Sequence, residues 1–123
     1  MAHVEMTPAH LVIRLQAAQR AFGRRRPLVI PWPHVHRAYA DEQAARAHPG
    51  ARWGVASNVP GVVTLGSFRR SGRRDFWAVR DPRKAIVIEL TDEKYDRLLV
   101  EVTHPEATLT AIASARTGDQ SAR

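Results

Sequence analysis

PGVVTLGSFRRSGRRDFWAVRDPRKAIVIELTDEKYDRLLVEV, residues 60–102, is the stretch whose reading decides the fold. Val63 and Leu65 fall on one side of a run ending at Phe68; Ile86, Ile88 and Leu90 on one side of another; Leu98, Val100 and Val102 on one side of a third. Alternate side chains point to opposite faces of a strand, so each set can line a shared interior. Thr64, Glu89 and Glu101 take the other side, as expected of a sheet with one wet face. Between the runs, Ser71-Gly72, the fixed φ of Pro82 after Asp81, and Asp92-Glu93-Lys94 are turn signals. Four consecutive strands on short turns predict an antiparallel meander.

Upstream, Leu11, Ile13 and Leu15 alternate with Val12, Arg14 and Gln16 in a first strand over His10–Gln16. The three- and four-residue spacing of Leu15, Ala18 and Phe22 then predicts a short helix that Gly23 ends. Pro27–Trp32 reads as a strand that Pro31 confines to an edge, Val35, Arg37 and Tyr39 as a short strand, and Asp41–Ala47 as a turn or two of helix. From there to Val59 the pattern predicts a long connection. Downstream, Thr103-His104-Pro105-Glu106 has the form of a capping box opening a helix, with Leu109, Ile112, Ala113 and Arg116 as its stripe. Residues 1–9 are expected to be a flexible tail, 10–116 the domain, and 117–123 a disordered tail.

The chain has 123 residues, no cysteine and a formal charge of +7. One domain of this size hides roughly two thirds of its extended surface, enough for a core without staples. The cysteine count excludes a disulfide framework, a thiolate nucleophile and a cysteine zinc site. The opening MAHVEMTPAH has no secretory pattern, and no apolar run has bilayer length, so a cytoplasmic protein without a transmembrane segment is expected. Positive charge gathers in residues 1–40 and 61–84, while the last third is acidic.

Strands followed by one amphipathic helix are the element order of the pleckstrin-homology-like (PH-like) barrel. The runs VIPWPHV, PGVVTLGSFRRSGRRDFWAVRDPRKAIVIEL and YDRLLVEVTHPEATLTAI resemble an uncharacterised actinobacterial family related to bacterial PH-domain proteins. That resemblance implies a mainly β (α+β) fold: a PH-like barrel of about seven antiparallel strands, a C-terminal capping helix and a short helix after the first strand. It implies no activity, since a fold does not fix a function.

Clustered arginines match phosphate and carboxylate oxygens with a planar fork. In a meander, Arg24, Arg25 and Arg26, Arg52, and Arg80, Arg83 and Lys84 share one end as the candidate anion site. Arg69, Arg70, Arg73 and Arg74 form a secondary cluster at the other. Trp77, opposite Phe76 in its strand, is the candidate exposed aromatic. Trp32, Trp53, Trp77 and Phe76 interleave with arginines in the manner of a nucleic-acid platform, although such aromatics are more often core. His34 and His36, near Asp41, Glu42 and His48, have commonplace spacing, so no metal or cofactor is assigned. With no catalytic motif in the chain, the expectation is a non-catalytic binding or scaffolding module. Its partner is a protein or an anionic group such as a phosphate or lipid headgroup, sooner than a nucleic acid. Peripheral membrane contact and homo-oligomerisation are both compatible with the pattern. The alternatives are a nucleic-acid-associated accessory protein and a self-assembling protein pairing through the edge near Pro31.

Overall fold

The computed structural model describes residues 2–16 and 26–121, and of Val55 and residues 118–121 the backbone alone. Strands β1 (Ala2–Met6), β2 (His10–Leu15) and β3 (Leu28–Pro31) form a three-stranded antiparallel sheet in that order. A 3-10 turn at Trp32–His34 leads to β4 (Val35–Ala40), α1 (Glu42–Arg46), β5 (Ala51–Val59), β6 (Val63–Arg70) and β7 (Arg73–Val79). A second 3-10 turn at Pro82–Lys84 leads to β8 (Ala85–Leu90), β9 (Arg97–Glu101) and α2 (Pro105–Ser121). The larger sheet has the order β4-β8-β9-β7-β6-β5.

The small sheet contributes Leu11, Ile13, Leu28 and Ile30 to the main core, against Leu65, Phe76, Ile86, Ile88, Leu98 and Val100 of the large one. Helix α2 lays Leu109, Ile112 and Ala115 on the same core. Its contacts with β1 of the small sheet and with β4 and β8 of the large one show that it packs against both sheets. Among the described residues nine strands in two sheets therefore stand where seven in a barrel were expected. Among the described residues no ladder joins the sheets, so the barrel is not closed.

The expected meander is also corrected, because β9 inserts between β7 and β8 and runs parallel to β7. Acidic side chains on and beside β9 explain its place. Asp96 Oδ2 accepts from Arg74 N and Asp96 N donates to Arg74 O, each at 2.7 Å. Arg97 Nε donates to Asp75 Oδ2 at 2.9 Å, and Glu101 Oε1 accepts from the N–H groups of both Arg80 and Asp81 at 2.7 Å. Strand β9 is thus stitched to β7 along its length, and Glu101 holds the connection that must cross over its end.

Other expectations change with the added strands. Ala2–Met6 is paired with β2, its Ala2, Val4 and Met6 reaching the core, so the tail reading of residues 1–9 does not hold there. Ala51–Val59 is a strand where a loop was expected; a register shift between Arg52 and Ala56, with Gly54 at φ 96°, breaks the alternation that marks a strand. Helix α2 continues through Ser121, beyond the expected end at 116. It starts at Pro105, because proline suits the first helical position, which moves the cap from Thr103 to His104. The short helix expected after the first strand falls on residues 17–25, outside the described residues.

The supposed wet face of the large sheet is largely dry. Phe68, Trp77, Val79, Ala85, Val87 and Leu99 form a second buried cluster on it, under α1 and its Ala44 and Ala45. Trp77, expected to be exposed, is 1% exposed. Gly66, which has no side chain, is its direct partner on β6, and the short α1 segment lies above the cluster. No helix among the described residues is long and apolar enough to cross a membrane.

Candidate ligand-binding surface

Strands β5, β6 and β7 form a double hairpin whose turns mark two ends of the molecule. At one end, Val62 N donates to Val59 O across Pro60-Gly61, with Gly61 at φ 77°, as a type II turn requires. The crossing connection Arg80–Lys84 lies at this end, since Val79 adjoins Thr64. At the other end are the Arg70–Arg73 turn, the start of β5 and the β8–β9 turn. Ser71 at φ 52° and Gly72 at φ 79° give that turn the left-handed pair that a two-residue hairpin favours.

Among the described residues the expected three-loop cationic end does not come together. Arg24 and Arg25 lie outside the described residues, and Arg26 is exposed just ahead of β3. Arg83 forks onto Asp81, its Nε and Nη2 each donating at 3.1 Å, and this pair holds the Asp81 carboxyl below its usual range. Arg80 Nη2 lies 3.7 Å from Glu101, and Lys84 is exposed. Arg52 is paired with Phe68 on β6, which places it at the opposite end, because β5 occupies what reads as loop.

That opposite end gathers more uncompensated charge. Arg69 and Arg70 stand directly across from Arg74 and Arg73. Arg73 Nε donates to Asp75 at 3.2 Å and Arg74 Nε lies 3.5 Å from Asp96, so carboxylates compensate the β7 side. On the β6 side, Arg70 Nη1 donates to the His48 carbonyl at 2.8 Å and Arg69 lies 4.9 Å from the Trp53 ring centroid. Lys94, from the β8–β9 turn, is 5.4 Å from the same ring. None of Arg52, Arg69, Arg70 and Lys94 has a carboxylate within ion-pair distance among the described residues, and all four are exposed. Trp53 is half-buried and continues into the core through Tyr95 and Phe76, at centroid distances of 6.0 and 5.6 Å. Tyr95 is fixed in turn by a 2.6 Å hydrogen bond with Ser67. An aromatic support therefore runs from the interior to the cations. The sequence puts Arg69, Arg70, Arg73 and Arg74 around one turn, but Trp53 and Lys94 come from strand β5 and the β8–β9 turn, remote in the chain, and nothing local marks them as companions.

A polar ladder crosses the outer face of the large sheet. Arg37 Nη2 meets Glu89 at 2.9 Å, the Tyr39 hydroxyl donates to Glu89 at 2.6 Å, Glu89 pairs with Arg97 in register, and Arg97 reaches buried Asp75. The Arg37 guanidinium, and then the Tyr39 hydroxyl, outweigh burial and hold the Glu89 carboxyl low. Burial, followed by donation to Glu89, raises the Tyr39 phenol. These groups compensate one another and lock strands together.

Two further features are placed. A groove of about 350 Å³ lies between the Ala45–Pro49 segment and the β5–β6 turn, with Val59, Val62, Val79 and Arg80 in its lining. His34 meets Glu93, and no group of three or more histidine or carboxylate side chains among the described residues is placed to hold a metal ion. Compared with protein-family models, curated proteins and solved structures, the chain matches none.

Proposed function

We propose that the protein is a non-catalytic binding module whose contact surface is the rim that carries Arg52, Arg69, Arg70 and Lys94 together with Trp53, and whose partner is anionic. The observation that carries this reading is the gathering of these cations at one end from three separate segments without a carboxylate, two of them, Arg69 and Lys94, on an aromatic that is itself anchored in the core. Surface arginines usually find acidic neighbours, as Arg83 and Arg46 do here. Holding like charges together costs free energy unless a ligand compensates it. Two sheets with a C-terminal helix support the PH-like resemblance at the level of layers.

Retention on immobilised heparin tests the reading. The triple variant Arg52→Glu, Arg69→Glu, Lys94→Glu is expected to elute at clearly lower salt than Arg46→Glu, Arg83→Glu, Lys84→Glu, which changes net charge equally at the other end. Equal elution of the two triples overturns it.

A further inference from the structure

We propose that the Arg70–Arg73 end engages the phosphate backbone of double-stranded nucleic acid, an inference that rests on the anion-binding reading above. The first argument is the ladder itself. Arg70 opposes Arg73 and Arg69 opposes Arg74 on successive rungs, and like charges directly opposite in a sheet are destabilising. Internal carboxylates answer only Arg73 and Arg74. The β6 partners keep their charge for something outside the molecule.

The second argument is direction. Successive residues of a strand face opposite ways, so Arg69 lies with Trp53 and Lys94 on one side of the ribbon, and Arg70 lies on the other. A flat anionic surface addresses one side of such a ribbon. The two rows of phosphates bordering a duplex groove address both, with arginine forks suited to each phosphate.

The third argument is what the end lacks. Of the exposed large hydrophobics, Val59 and Val62 sit at the opposite turn, and Val29 lies on β3. A lone valine is not the wedge of Trp, Phe and Leu that anchors a protein in lipid. No Asn or Gln stands in the turn to read adenine, and the contact is assigned to the phosphate backbone, so its affinity is expected to vary little with sequence. Asp92 is the one exposed acidic residue of the adjoining β8–β9 turn; Glu93 is engaged by His34.

The test is anisotropy of a short labelled duplex titrated with the full chain over a range of salt. Four uncompensated cations set an expected slope of log K against log salt no steeper than about −4. Arg70→Gln and Lys94→Gln should each flatten the slope by about one, equally for unrelated duplex sequences, while Arg83→Gln leaves it unchanged. Circular dichroism and melting temperature confirm that these exposed substitutions leave the fold intact. Trp53 supplies a local signal, because Trp32 and Trp77 are each 1% exposed. Duplex binding should change tryptophan emission in the wild type and not in Trp53→Phe. A chain that binds heparin through the rim but no duplex overturns this inference and leaves the anion-binding reading standing. Binding to phosphatidylglycerol vesicles without binding to duplex also overturns it, assigning the rim to membranes.

Discussion

Two tryptophans equally withdrawn from water differ in one hydrogen bond. Trp32 Nε1 donates to the Thr7 carbonyl at 2.9 Å, whereas buried Trp77 Nε1 has no partner among the described residues. A buried donor without an acceptor costs about 1–3 kcal/mol, and replacing Trp by Phe removes that donor. Trp32→Phe should therefore destabilise more than Trp77→Phe, by about 1 kcal/mol or more in chemical denaturation, because only the first also strands an acceptor. Equal losses would show that the indole N–H of Trp77 finds a partner. The Tyr39–Glu89 pair sets two limits on stability at different pH. Since folding raises the Tyr39 pKa, its contribution is complete below about pH 10 and is lost as pH rises through the folded value. Since folding lowers the Glu89 pKa, its contribution is complete above about pH 4.3 and is lost as pH falls through the folded value. Tyrosinate absorbance should show a late titration that Tyr39→Phe abolishes and Glu89→Gln moves to lower pH; an unmoved midpoint in Glu89→Gln removes the coupling.

At the scale of elements, the segment from α1 to β5 closes tightly on the β6–β7 hairpin. A Cβ on Gly50, at φ 105°, would stand 2.2 Å from the Arg69 carbonyl oxygen, and backbone cannot swing aside as a side chain can. Gly50→Ala is expected to lower stability by about 2 kcal/mol or more, read as a drop in the urea midpoint. A loss near zero would mean that β5 is free to shift. The same elements show what could be read in advance. Ile86, Ile88, Leu98 and Val100 announced strands because alternation is a local property, and Ser71-Gly72 announced its turn because the backbone there needs left-handed angles. Strand β5 was hidden because a bulge breaks its period. Strand β1 carries a local signal of its own, the alternation of Ala2, Val4 and Met6. The second buried face was visible too: Val87 and Leu99 interrupt the supposedly polar side, as in strands buried on both faces. The insertion of β9 had no local signal, since pairing order depends on Asp75, Asp96 and Glu101 meeting groups some twenty residues away. Which end each cation occupies follows from that pairing order, and is no more legible locally than the order itself.

For the molecule as a whole, charge sorts by end. Where Arg80 and Arg83 stand, Glu101 and Asp81 answer them; where Arg69 and Arg70 stand, an aromatic and a carbonyl do. A dipolar protein of this kind turns its cationic end toward a polyanion before contact, and added salt slows that encounter. The central position of β9 also governs how the chain is made. Of the strands of the large sheet it is the last to be synthesised, yet it fills the middle, so β7 and β8 have no shared ladder until it arrives. Everything synthesised earlier must wait with an open slot, and a transcript cut short before residue 97 yields a polypeptide with a missing centre instead of a trimmed border.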